Sequence, residues 1–150
     1  MSTALRIRAP RLVPDPERHR RGLIDTSVVI DLGRIDPTAL PEEMAVSAIT
    51  MAELAAGPHA TDEVTERARR QDRLQRAEAT FDPVPFDDQA ARSYGRVCAT
   101  VVAAGRKARG ARALDLLVAA TALANRLPLF TRNPDDFRAL GGLIDVVDVP

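Results

Sequence analysis

The stretch Leu23-Ile24-Asp25-Thr26-Ser27-Val28-Val29-Ile30 joins a short apolar run to one carboxylate and two hydroxyl residues. The run predicts a buried strand that ends at Asp25, and the hydroxyls predict the cap of a following helix. A buried charge is costly unless a cation meets it. Because ligand sites of open α/β sheets lie beyond the carboxyl ends of the strands, we expect Asp25 to belong to a functional site.

Outward from this stretch, strand-like and helix-like segments alternate along the chain. We predict strands over residues 22–24, 44–48, 128–130 and 144–147, and helices over residues 27–32, 50–57, 61–79, 87–104 and 113–126. Residues 84–86, set between prolines, are predicted to form a connector or a marginal strand. This alternation predicts an α/β fold of three layers, α/β/α, with a central and mainly parallel sheet.

Length and composition restrict the class of protein. A chain of 150 residues with 3% aromatic residues and no Trp predicts one domain with an aliphatic core. The single Cys98 excludes an internal disulfide and is expected to pack as a small apolar residue in a reducing compartment. His19 and His59 lack the spacing of zinc ligands. No membrane span or signal-peptide core is evident, so we expect a cytoplasmic protein.

Charge is unevenly distributed although the net charge is zero. Residues 1–21 contain six Arg and two acids, so they carry +4 and the remainder carries −4. We predict that residues 1–21 form a flexible basic arm and that residues 22–150 form the domain. The arm either contacts phosphates or a partner, or is a dispensable extension.

Four acidic residues stand out because their neighbours in sequence are apolar: Asp25, Glu53, Asp115 and Asp136. Each has a purely structural explanation when taken alone, since an acid in the first turn of a helix is stabilised there. Carboxylates that converge repel one another, and a hard cation with oxygen ligands removes that penalty. Mg²⁺ or Mn²⁺ suits such a site. We therefore expect a divalent metal centre if these four acids meet.

Four motifs, in this order and at these intervals, carry a family resemblance: LIDTSVVIDL, VSAITMAELAAG, ALDLLVAATA and LFTRNPDDF. Together they resemble the PIN-domain ribonucleases, in particular the VapC toxins of bacterial toxin–antitoxin pairs. The resemblance covers residues 22–150. It implies that the catalytic and metal-binding acids are Asp25, Glu53, Asp115 and Asp136, and that Thr26, Ser27 and Asn133 support them.

The fourth acid has an alternative, because Asp135 is adjacent to Asp136. Many relatives place this acid directly before the aromatic residue, which favours Asp136. Asp31 and Asp36 match no motif position and are interpreted as surface residues.

The resemblance also implies an activity and partners. The activity is metal-dependent hydrolysis of phosphodiester bonds in structured RNA such as tRNA or rRNA, with one or two Mg²⁺ or Mn²⁺ ions. The partners are a second copy of the chain and a VapB-like antitoxin that inhibits the toxin. We expect the antitoxin to dock on the helices of residues 50–79.

An acidic pocket repels phosphate, so an RNA substrate needs basic residues close by. The loop over residues 105–112 supplies them without an intervening acid: Arg106, Lys107, Arg109 and Arg112. These residues either contact phosphates or form a solvated loop. The Arg-rich helix over residues 67–76 is interpreted as a solvated face that includes neighbouring glutamates.

Two other functions are open to this sequence. The first is a PIN-like module that binds RNA or protein and has lost its activity. The second is an aspartate-nucleophile phosphatase, which needs a second acid two positions after the first and a Lys in the pocket. Position 27 is Ser, and the only Lys is Lys107, so the phosphatase is disfavoured.

Overall fold

The computed structural model describes residues 7–8, 19–110 and 112–150. The strands are β1 (Ile7–Arg8), β2 (Arg21–Ile24), β3 (Glu43–Ala45), β4 (Leu129–Thr131) and β5 (Val146–Asp148). The α-helices are α1 (Thr26–Ile30), α2 (Ala48–Ala56), α3 (Val64–Thr80), α4 (Asp88–Ala103) and α5 (Arg112–Ala124). Short 3₁₀ helices lie at Leu32–Arg34, Pro37–Ala39, Gly57–Ala60 and Pro134–Leu140.

The five strands form one sheet in the order β1-β3-β2-β4-β5. Strands β2 to β5 are parallel to one another, and β1 pairs antiparallel with β3 at one edge. The predicted three-layer α/β/α fold with a mainly parallel sheet is therefore confirmed. Because β2 is central, its carboxyl end opens between the ends of β3 and β4.

The core lies in two layers because successive side chains of a strand point to opposite faces of the sheet. Leu23 and Leu129 pack on one face, against the buried sides of α4 and α5. Ile24 and Phe130, the next residues along the same strands, pack on the other face with residues of α1, α2 and α3.

Two local predictions were wrong. The second strand ends at Ala45 rather than at residue 48, because the backbone of Val46 and Ala48 is hydrogen-bonded to Val84 instead. Ser47 then caps α2, its hydroxyl accepting from the backbone N–H of Thr50 at 3.0 Å. At α1, neither Thr26 nor Ser27 is the N-cap as predicted, because Asp25 itself is the N-cap residue. The other predicted strands and helices lie within a few residues of the observed ones, whereas β1 was not predicted.

The predicted arm falls mostly outside the described residues, which within it include only residues 7–8 and 19–21. Ile7 and Arg8 pair with Met44 and Glu43, and Arg21 belongs to β2. The flexibility of residues 1–21 stays a prediction. Among the described residues, no helix is long and apolar enough to cross a membrane.

Candidate active site

Asp25 stands where β2 ends and α1 begins. Its backbone N–H donates to the Phe130 carbonyl at 3.0 Å, which extends the pairing of β2 with β4 by one residue. Asp25 is 6% exposed, and its carboxylate accepts from the Val28 N–H at 3.1 Å and from the Ser27 hydroxyl at 2.6 Å. Burial raises the pKa of Asp25, while hydrogen bonds, the largest from Ser27 and Thr131, oppose that shift. Hydrogen bonds from the first residues of α1 and from Thr131 at the end of β4 therefore fix the position of the Asp25 carboxylate.

Glu53 approaches the same end of the sheet from α2. Its side chain is half-buried, and Oε1 accepts a hydrogen bond of 2.7 Å from the Thr26 hydroxyl. The Thr26 hydroxyl also lies 3.1 Å from that of Thr50, which in turn lies 3.2 Å from the Ser47 hydroxyl. A row of hydroxyl groups from the cap of α2 thus fixes the position of Glu53.

Asp115 occupies the first turn of α5 and is half-buried. Desolvation is the largest cause that raises its pKa to about 6, followed by the negative charges of Asp136, Glu53 and Asp25. The Arg112 guanidinium lowers this pKa. The electrostatic coupling of Asp115 to the other three carboxylates means that the fold brings all four acids together.

Asp136 lies in the 3₁₀ helix Pro134–Leu140, and its backbone N–H donates to the Asn133 carbonyl at 3.1 Å. The side chain of Asp136 is half-buried, whereas Asp135 is exposed and forms an ion pair with Arg138. Of the two adjacent acids, Asp136 is the one that acts on the pKa of Asp115.

Among the three supporting residues, Thr26 and Ser27 contact the acids directly. Asn133 is exposed, and its side chain does not cap the 3₁₀ helix that follows it. Its backbone N–H donates to the Thr131 hydroxyl at 3.0 Å. Asn133 therefore shapes the loop through its backbone.

The basic loop lies beside the acids. Gly105 and Gly110 bend its backbone at positive φ of 77° and 74°. The guanidinium of Arg106 donates to the Asp135 carbonyl at 3.5 Å, and that of Arg112 to the Asp136 carbonyl at 3.4 Å. Lys107 and Arg109 are exposed. The loop thus adjoins the acids through two of its four basic residues.

Sequence reasoning missed three contributors. Thr131, the last residue of β4, hydrogen-bonds to Asp25, and its position at the end of a strand next to β2 is the pattern that would have revealed it. Thr50 belongs to the hydroxyl row. Asp31, interpreted as a surface residue, is only about one-third exposed and forms an ion pair of 2.7 Å with Arg132. Asp36 is exposed, as predicted.

The four acids supply only oxygen ligands, which suits a hard divalent cation. In the described ranges, no three His, Cys, Asp or Glu side chains are arranged to hold one ion jointly. Mg²⁺ keeps several of its waters and commonly binds through one or two carboxylates, so this arrangement is compatible with a hydrated ion. Desolvation and then repulsion by the other acids raise the pKa of Asp115, and a bound ion would remove the repulsion. The residues present fit the metal.

The protein is thus a three-layer α/β/α protein. Its acidic side chains are gathered near the carboxyl ends of the parallel strands, where ligand sites of such folds lie. Residues 22–143 match the PIN domain, so the chain belongs to the PIN-domain family. This match confirms the resemblance predicted from the four motifs, and the relatives below agree with it.

Two relatives come from Mycobacterium tuberculosis. Ribonuclease VapC5 is 37% identical over 128 residues, which cover 83% of this chain and 91% of that protein. Ribonuclease VapC8 is 38% identical over 102 residues, which cover 67% of this chain and 89% of that protein. Among solved structures, VapBC-5 of the same organism, a member of the VapBC family of toxin–antitoxin systems, has a TM-score of 0.76 at 33% identity. That match covers 87% of this chain and 99% of the solved one.

Proposed function

We propose that this protein is the toxin of a type II toxin–antitoxin pair and acts as an endoribonuclease that depends on Mg²⁺ or Mn²⁺. The observation that carries the proposal is the grouping of Glu53, Asp136 and Asp25 around Asp115, whose pKa is raised to about 6. The relatives named ribonucleases, similar over most of their length, support the same activity.

Asp25 and Asp115 would hold the ion, and Glu53 and Asp136 would complete its surroundings. When bound, the ion supplies a Lewis acid for the phosphodiester and lowers the pKa of water. Ser27 donates to Asp25 and Thr26 donates to Glu53, so both carboxylates are oriented before substrate arrives. Because the carboxylates are already oriented, no free energy is spent on reorienting them as the transition state forms.

RNA phosphates need basic contacts beside this acidic pocket. Arg106, Lys107, Arg109 and Arg112 are proposed to supply them, with Arg112 placed between the loop and the acids. With 3% aromatic residues, the chain offers few rings for base stacking. We therefore infer that a structured RNA such as a tRNA or rRNA is read mainly through its backbone and shape.

A VapB-like antitoxin is the proposed inhibitor, because the solved VapBC-5 structure belongs to a family of toxin–antitoxin systems and matches most of this chain. A homodimer is proposed from the family resemblance. The exposed apolar side chain of Val102 would be available to contact a second copy.

A cleavage assay tests the activity. Purified protein is incubated with a panel of tRNAs and rRNA fragments, with Mg²⁺, with Mn²⁺ or with EDTA. We expect cleavage with either ion, none in EDTA, and a loss of about 10²-fold or more in Asp25→Asn and in Asp115→Asn. Asp62→Asn makes the same chemical change at an exposed acid outside the site and should cleave like wild type.

Cleavage that persists in EDTA, or equal cleavage by Asp115→Asn and wild type, would contradict the mechanism. RNA that is bound by wild type with a defined affinity but is cleaved under none of these conditions would instead identify an inactive PIN-like binding module.

A further inference from the structure

Arg132 lies in the loop that follows β4, beside Asp25, but its guanidinium is directed at Asp31 and not at the four acids. The Arg132 backbone N–H donates to the Ser27 hydroxyl at 3.0 Å, and that hydroxyl donates to the Asp25 carboxylate at 2.6 Å. The preceding residue, Thr131, hydrogen-bonds to Asp25 as well. The backbone of Arg132 is therefore two hydrogen bonds away from a central carboxylate of the site.

The side chain of Arg132 turns instead to Asp31, at the end of α1. Nη1 lies 2.7 Å from Asp31 Oδ2, and both side chains are about one-third exposed, at 34% and 32%. The two residues are 101 positions apart in sequence, so the fold creates this ion pair. The cation that lowers the pKa of Asp115 is Arg112.

We propose that Asp31 is a positioning residue that holds the Arg132 guanidinium away from the acidic cluster and so keeps the cluster available for a divalent ion. The inference rests on the proposed function, because it concerns the same metal site. A guanidinium forms strong charge-assisted hydrogen bonds with carboxylates. Released from Asp31, the Arg132 guanidinium would pair with a carboxylate of this cluster, since its own backbone lies beside Asp25, and would compete with the ion for that carboxylate.

Metal binding can be measured without RNA and without turnover. Mn²⁺ titrations of the purified protein, followed by calorimetry and by the electron paramagnetic resonance of free Mn²⁺, give the Kd directly. We expect Asp31→Asn to raise this Kd about tenfold, the lower range for residues that act on metal ligands indirectly. The Mg²⁺ concentration needed for half-maximal RNA cleavage should rise in parallel.

The partner substitutions separate this role from two simpler ones. Arg132→Gln removes the competing cation, so its Kd should change by less than about fivefold, as for one partly exposed charge. The double variant Asp31→Asn/Arg132→Gln should return close to the wild-type Kd. Asp145→Asn removes the acid of another partly exposed pair, with His19, and should bind Mn²⁺ like wild type.

Each other result overturns the inference. If the ion pair only fastens the loop, both single variants and the double variant will lose affinity equally. If Asp31 acts only as a nearby negative charge, the two single variants will shift the Kd by equal factors in opposite directions. If Asp31→Asn and wild type bind Mn²⁺ with the same Kd, the role proposed for Asp31 is wrong, although the metal site itself is supported. A wild type that binds no Mn²⁺ and cleaves no RNA overturns the proposed function itself.

Discussion

Asp115 is the residue at which the electrostatic cost of the site is concentrated. Its carboxyl group is half-buried in the first turn of α5 and is repelled by three other acids, and the Arg112 guanidinium lowers its pKa. A helix N-terminus favours a negative charge, but desolvation and like charges outweigh that benefit here. The ionised Asp115 therefore destabilises the metal-free protein, and binding of a cation reduces this electrostatic repulsion.

The pH dependence of stability should show this penalty. The folded-state pKa of Asp115 is raised from 3.8 to about 6, so its favourable contribution is complete below pH 3.8 and is lost as the pH rises through about 6. Asp115→Asn should therefore stabilise the metal-free protein at pH 7, on the order of 1 kcal/mol, and should have almost no effect at pH 4.

Thermal unfolding in EDTA at pH 4, 5, 6 and 7 measures this difference between variant and wild type. Asp62→Asn, an exposed acid, is the reference for a plain loss of charge. A difference between Asp115→Asn and wild type that stays constant from pH 4 to pH 7 would be incompatible with the raised pKa. Added Mn²⁺ should reduce the advantage of the variant at pH 7.

At the scale of elements, the central strand β2 depends on a glycine. A Cβ added at Gly22 would lie 2.4 Å from Phe130 Cε1 and 3.1 Å from Pro41 Cγ. Phe130 is 2% exposed, and its ring also packs edge-on against His19 at 5.7 Å. The ring fills the space beside β2, and β4 lies directly next to that strand. The Phe130 ring can thus lie against the β2 backbone only because residue 22 has no side chain.

Gly22→Ala should destabilise the protein by about 1–3 kcal/mol, because a buried aromatic ring has to move. The measurement is the free energy of unfolding in urea. Gly95→Ala is the matched control: this glycine lies inside α4 with no atom within 4 Å of an added Cβ, so the change should stabilise by about 0.5–1 kcal/mol. Equal stabilities of Gly22→Ala and wild type would show that the ring is free to yield.

The sequence predicted elements and motifs better than it predicted contacts. Apolar runs and their alternation with helices were sufficient for the mainly parallel sheet, and four motifs were sufficient for the family. The strand over residues 44–48 was predicted too long, because an extended apolar run does not reveal that Val84 takes over its pairing. Thr131 and the Asp31–Arg132 pair were missed because their partners are distant in sequence.

At the scale of the whole molecule, a groove of about 520 Å³ runs between the end of α1 and α3. Its floor is apolar, with Val29, Ala77 and Phe81, and its rim carries more arginines, mostly of α3, than the two acids Asp31 and Asp72. The sequence interpretation assigned antitoxin docking to residues 50–79, and α3 does line this groove, whereas α2 does not. A mixed apolar and basic groove suits an amphipathic segment with acidic residues.

The antitoxin is proposed to fill this groove, and Ile30 is the residue that tests it. Ile30 lines the groove and is 44% exposed, so Ile30→Asp should fold normally but place an unpaired charge in the buried interface. Against a purified VapB-like antitoxin that binds the wild type, we expect the Kd to rise by about 30-fold or more, as for an apolar anchor. Val64→Asp makes the same kind of change on α3 at a side chain that is 77% exposed and lies outside the groove, so it should bind like wild type.

Calorimetry with the purified toxin variants and the antitoxin measures both Kd values, and RNA cleavage by free Ile30→Asp should equal that of wild type. An unchanged affinity in Ile30→Asp, or an equal loss in Val64→Asp, would place the antitoxin elsewhere on the surface.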